Sequence, residues 1–128
     1  MELTPCNPAE GIYSAGPDYV HAMEVRGAER LLFTSGTMGL DPSGAAGATL
    51  EEQLALVWDN IRRILDQAGM TTANIVRLTS YLRDASYAKA NAAARCEALG
   101  DRRIPTTAIV VQTLEEDWLV EIEVVAAA

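Results

Sequence analysis

The chain has 128 residues, 49% apolar and 22% charged, with a formal net charge of −8 and a sequence pI of about 4.5. That size and composition suit one globular domain over residues 1–128 and exclude a disordered or fibrous chain. The acidic balance, with 10 basic side chains that form no stripe, argues against nucleic acid and anionic membranes as partners, because both bind through clustered cations.

Cys6 and Cys96 stand far apart, without a CxxC or a histidine cluster, so neither a disulfide framework nor a zinc site is signalled. No basic N-terminal stretch leads into an apolar run, and no apolar run approaches the roughly 18 residues needed to span a bilayer. The expected compartment is the cytoplasm, and the expected partner is a small molecule.

In chain order, Tyr19–Val25 and Leu31–Gly36 are apolar runs joined by Arg26-Gly27-Ala28-Glu29-Arg30, which predicts a β-hairpin. The stretch 41–47 is rich in turn formers and predicts a loop. Thr49 and Glu52 have the spacing of a capping box, which predicts a helix from there to about Gly69. Its buried stripe would be Leu54, Val57, Ile61, Ile64, Leu65 and Ala68. Residues 74–82 are β-branched and aromatic and predict a strand. A second helix, capped by Ser86 and running to about Leu99, would turn Tyr87, Ala90, Asn91, Ala94 and Ala98 inward.

Two further strands are predicted over Thr106–Gln112 and Trp118–Val125. In the second, Val120, Ile122 and Val124 alternate onto one face, and Leu119, Glu121, Glu123 and Val125 onto the other. The order gives an α+β fold with a single mixed β-sheet and two helices packed on one face. Strands 74–82 and 106–112 are apolar on both sides, so the helix-free face also needs cover, and self-association would supply it.

The segments Tyr19-Val20-His21-Ala22, Thr34-Ser35-Gly36, Asp59-Asn60-Ile61, Asn91, Pro105 and Val120-Glu121-Ile122-Glu123 make the chain similar to the Rid (reactive intermediate deaminase, YjgF-like) family over essentially its whole length. The resemblance implies a chorismate-mutase-like fold, assembled as a homotrimer with ligand clefts between subunits. It implies hydrolysis of reactive 2-imino or enamine acids to 2-keto acids and ammonia, without metal or organic cofactor.

Carried over from the family, Glu121 is the catalytic, water-handling carboxylate. Tyr19, Ser35, Gly36 and Asn91 are substrate-binding residues, and the backbone of Ile109 touches the reacting group. Archetypal members have an arginine two residues after the strand proline, where it forks onto the substrate carboxylate. Here Pro105 is followed by Thr106 and Thr107, so Thr107 takes that place. Losing such a contact costs on the order of 2 to 5 kcal/mol for an anionic ligand.

Without the family, Glu121 and Glu123 read as solvent-facing strand residues, Asn91 as a residue bonded to nearby backbone, and His21 as a packed strand residue. Arg102 and Arg103 could replace the missing guanidinium if their loop folded back, although two solvated arginines in a turn are the plainer reading; the claim of Arg83 and Arg95 is similarly weak. Three functions are open at this point. The first is a hydrolase or deaminase of a small imine or enamine, weak on simple 2-imino acids. The second is a metabolite-binding or regulatory trimer without turnover. The third, endoribonuclease activity, is disfavoured by the charge.

Overall fold

In the computed structural model, which describes residues 1–128, the chain begins with an antiparallel ribbon of β1 (Glu2–Cys6) and β2 (Ala22–Arg26), with Leu3 opposite Val25. The expected hairpin across residues 19–36 therefore does not form. Instead, β3 (Leu31–Phe33) pairs with β7 (Val120–Ala127), placing Leu32 opposite Ala126. The swap has a physical reason: β2 is largely solvent-facing, whereas β7 is a long central strand, so pairing there carries Leu32 onto the core. The amides of Glu29 and Arg30 also close onto the carbonyl of Ala128, at 2.8 and 2.9 Å.

After a break at residues 34–36, β4 (Thr37–Met38) resumes along β7 with Thr37 opposite Ile122 and Met38 opposite Glu121. Helix α1 (Leu50–Gln67) follows the loop. Thr49 caps it by accepting from the Glu52 amide, but the Glu52 carboxylate reaches back to the amide of Ala48, so the expected box is shifted by one residue. Gly69 ends the helical region at φ +67, a conformation costly for residues with a Cβ. The buried stripe is Leu54, Val57, Trp58, Ile61 and Leu65. Trp58 extends the stripe on one side, while Ile64, expected within it, lies on the opposite flank and is 38% exposed.

Strand β5 (Ile75–Leu82) runs antiparallel to β7 and parallel to β6 (Thr106–Val110), giving the order β3-β7-β5-β6 with β4 beside β7. Helix α2 (Ala88–Leu99) connects β5 to β6. Its approach is capped by Asp84, which accepts from the Ser86 amide at 2.8 Å, so the cap falls two residues before the expected Ser86. The architecture is the expected mixed sheet with two helices, with the β1–β2 ribbon hydrogen-bonded separately from the five-stranded part. Ile61, Leu65, Leu78, Val120 and Ile122 are fully buried between sheet and helices. No helix is long and apolar enough to cross a membrane.

Two polar residues of α1 position the edge of this sheet. Asn60 donates to the carbonyls of Met38 and Leu40, at 3.1 and 2.9 Å, and so fixes β4. Gly39 permits the approach, because a Cβ there would overlap the backbone of Gln53. Gln53 is itself buried and donates to the carbonyls of Gly47 and Asp117 while accepting from the Leu119 amide at 2.9 Å. The segment leading into β7 is thus anchored from behind.

Candidate functional site

Register decides which side chains share the helix-free face. Tyr81 on β5 lies opposite Glu121 on β7 and Ile109 on β6; one step away, Thr79 lies opposite Glu123 and Thr107. Glu121, Thr107 and Ile109 therefore occupy one face of three adjacent strands, with β5 between the acid and the other two. The expected alternation of β7 holds: Val120, Ile122 and Val124 are buried, and Glu121, Glu123 and Val125 are half-buried on the opposite side.

The Glu121 carboxylate lies against Gly36, where the chain breaks between β3 and β4. A Cβ at Gly36 would overlap that carboxylate, so glycine is what lets the acid lie flat against the loop. Thr34 holds the loop from one side: its hydroxyl accepts from the Val124 amide at 3.0 Å, and its own amide donates to the Val124 carbonyl at 3.1 Å. Ser35 is exposed beside Gly36, on an adjoining open groove that also includes Phe33 and Asn60.

Gly36, Tyr81, Glu121, Glu123 and the 111–114 segment line a cleft of about 360 Å³, room for a small metabolite. Inside it the Tyr81 hydroxyl donates to Glu123 at 2.6 Å. That bond, reinforced by desolvation and the charges of Glu123 and Glu121, raises the Tyr81 phenol above its usual range. Tyr81 is a neutral donor at physiological pH.

The other expected residues lie elsewhere. Val20 donates to the carbonyl of Ile104 at 3.4 Å, which puts Tyr19 beside the start of β6. Tyr19 is half-buried, with its ring edge-on to His21 at 6.3 Å. Asn91 is 1% exposed under α2, and one turn further on Arg95 pairs with Asp18, next to Tyr19. One chain thus brings together Glu121, Gly36 and Ser35 at the β4–β7 edge. It places Tyr19, Thr107 and Ile109 around the opposite edge strand, and Asn91 in the helical layer. No cluster of three His, Cys, Asp or Glu side chains forms.

Residues 11–128 match the sequence profile of the family described as Endoribonuclease L-PSP. The chain belongs to this family, that of the Rid or YjgF-like proteins. A RutC family protein of Pyrococcus horikoshii is 31% identical over 102 residues, covering 77% of this chain and 80% of the relative. The fold is similar to that of a Rid protein family member of unknown function from Yersinia pestis, with a TM-score of 0.85 and 29% identity over the full length of both chains. It is also similar to RidA from an Antarctic Psychrobacter, with a TM-score of 0.73, 25% identity, and 95% and 93% of the two chains covered.

In this Rid chain the arginines considered as stand-ins for a guanidinium at Thr107 have other positions. Arg102 donates to the carbonyls of Thr72 and Ile75, both at 2.8 Å, and burial lowers its pKa. Arg103 is exposed, and Arg95 is bound to Asp18. Arg83 lies against Thr113, a wall residue of the Glu121 cleft. Sequence alone does not single out Tyr81 or Gln53. Tyr81 alternates with Arg77, Thr79 and Arg83 along the predicted strand, which was the available signal; its pairing with Glu121 depends on a register that the local pattern leaves open.

Proposed function

We propose that this Rid family chain hydrolyses a small reactive imine or enamine in clefts between the subunits of a homotrimer, with no metal or organic cofactor. The observation that carries the proposal is the Glu121 carboxylate lying on the Gly36 backbone in a cleft of metabolite size. Glu121 takes a proton from water as the hydroxide adds to the imine carbon. That proton passes to the nitrogen, and as the tetrahedral adduct collapses the added hydroxyl gives its own proton to the departing nitrogen, leaving a carbonyl compound and ammonia. The split placement of the remaining residues supports a composite site: Tyr19, Asn91, Thr107 and the Ile109 backbone of one subunit would meet Ser35, Gly36 and Glu121 of another.

Thr107 offers a neutral hydroxyl where archetypal relatives carry arginine, so the substrate's carboxylate is either absent or read by another group. Simple 2-imino acids are therefore poor substrates. The test couples an amino-acid oxidase to the decay of 2-imino acids and compares it with decay of other imines. Slow turnover of the former, and faster turnover of an imine that Glu121→Gln abolishes, is the expected result. If wild type and Glu121→Gln bind a product analogue alike and neither accelerates any imine's decay, the second reading holds, a metabolite-binding trimer, which Thr107 alone favours. The acidic chain has no histidine pair or basic stripe for phosphodiester cleavage.

A further inference from the structure

Arg83, the residue after β5, continues the alternation of Arg77, Thr79 and Tyr81 onto the helix-free face. Its amide donates to the carbonyl of Leu119 at 3.0 Å. Leu119 precedes Glu121 by two residues in the same extended run, so the Arg83 row lies about 7 Å beyond the Glu121 row. Thr107 belongs to the row on the other side, opposite Thr79. Arg83 and Thr107 thus flank the Glu121 row from opposite directions.

The Arg83 guanidinium is held in place. Its Nε donates to Thr113 Oγ1 at 2.8 Å and its Nη2 to the Thr113 carbonyl at 3.3 Å. Thr113 is 8% exposed, lies within hydrogen-bond distance of the carbonyls of Glu115 and Trp118, and forms part of the cleft wall with Gly36 and Glu121. Two of the five guanidinium N–H groups are engaged by Thr113, and both on Nη1 have no acceptor in the chain. The chain's ion pairs join Arg26 to Glu24, Arg62 to Asp59 and Arg95 to Asp18, leaving Arg83 without a carboxylate. A fixed, half-buried guanidinium with its outer edge free is suited to a planar carboxylate.

We infer that Arg83 reads the carboxylate of the ligand, and that the substrate is an anionic imine or enamine whose carboxylate is a few bonds removed from the carbon served by Glu121. The inference rests on the cleft described under Proposed function and names its substrate class. In a 2-imino acid the carboxylate is bonded directly to the reacting carbon, whereas Arg83 springs from the row beyond Glu121 and its guanidinium is tied to Thr113. A chain of two or three carbons bridges the gap.

The probes are 4-oxopentanoate, a stable ketone with a distal carboxylate, and its neutral amide, titrated into the intact protein by calorimetry. The acid should bind the wild type roughly 10- to 100-fold more tightly than the amide, with an advantage that shrinks as salt rises. Arg83→Gln should erase the advantage while leaving amide affinity in place, Arg83→Lys should retain part of it, and Arg103→Gln should retain all of it. A purely structural role for Arg83 would weaken acid and amide alike. Equal binding of acid and amide by the wild type, no binding of either, or an advantage that survives Arg83→Gln overturns the inference. The outcomes for the function are separate: Glu121-dependent turnover without an Arg83 effect leaves the hydrolase and removes this substrate class. An Arg83-dependent acid preference without turnover of any imine leaves Arg83 as a carboxylate-binding residue and removes the hydrolase.

Discussion

At the scale of single residues, the cleft is governed by how two carboxylates on one strand are distinguished. Glu121 and Glu123 are two apart on β7 and share a face, yet Glu123 accepts the Tyr81 hydroxyl while Glu121 is packed on Gly36. Because Tyr81 is opposite Glu121 in register but bonds diagonally to Glu123, it leaves Glu121 free for water. The bond carries a pH signature. The Tyr81 phenol titrates above its ordinary 10.0 in the folded chain, chiefly through Glu123, so the folded state holds that proton longer than the unfolded state. Its contribution to stability is complete below the ordinary phenol range and is lost as pH rises through the raised value. Wild type should therefore be more stable than Tyr81→Phe at about pH 9 and lose that margin as pH rises past the ordinary phenol value of 10.0 and through the raised one, read from urea midpoints of both proteins. Parallel curves would show that the bond does not persist in solution. None of this was legible beforehand, because Glu123 by itself looks like any solvent-facing strand acid.

Among elements, what could be read from the sequence was what the local pattern dictates. The stripe from Leu54 to Leu65 and the Thr49 cap specify α1 through spacing alone, and alternation sorts β7 into a core side and a cleft side. The pairing of β2 was not legible. Residues 2–6 contain Pro5, whose missing N–H disfavours a central strand and is tolerated at an edge, so β1 gave no signal while Gly27 suggested a local hairpin. Long-range pairing of β3 with β7 then prevailed because it buries more. The same limit hid Gln53, a polar residue that reads as the outer face of a helix yet joins three segments from within. Gln53→Leu would leave the carbonyls of Gly47 and Asp117 and the amide of Leu119 without their partner, at about 1–3 kcal/mol for each group that water cannot reach. A loss of about 3 kcal/mol in chemical denaturation is expected, together with reduced turnover, since the same bonds hold the segment that enters β7 beside Glu121. A variant as stable as wild type would mean that the segment is fixed by other contacts.

Over the whole molecule, the open question of the sheet is its uncovered side. Phe33, Leu31 and Ile109 are 70%, 58% and 46% exposed along the edges formed by β3 and β6, and the helices cover only the opposite face. The two-sided apolarity expected of strand 74–82 does not hold, because its helix-free face carries Arg77, Thr79 and Tyr81, so the apolar residues of that face lie on the edge strands and depend on a register that the local pattern leaves open. In the proposed trimer the β6 edge of one subunit approaches the Glu121 edge of the next, so assembly and the completed cleft are one event. Ile109→Asp places a charge on an exposed side chain, which leaves the core of each chain intact but must be desolvated for subunits to meet. The variant should sediment as a folded monomer and lose turnover together with assembly. Wild type should show a thermal midpoint that rises with protein concentration, because association stabilises the folded chain by mass action. The far-ultraviolet dichroism of Ile109→Asp should match that of wild type, separating loss of assembly from loss of fold. A monomeric wild type, or an Ile109→Asp trimer with full turnover, would remove β6 from the interface and with it the composite cleft.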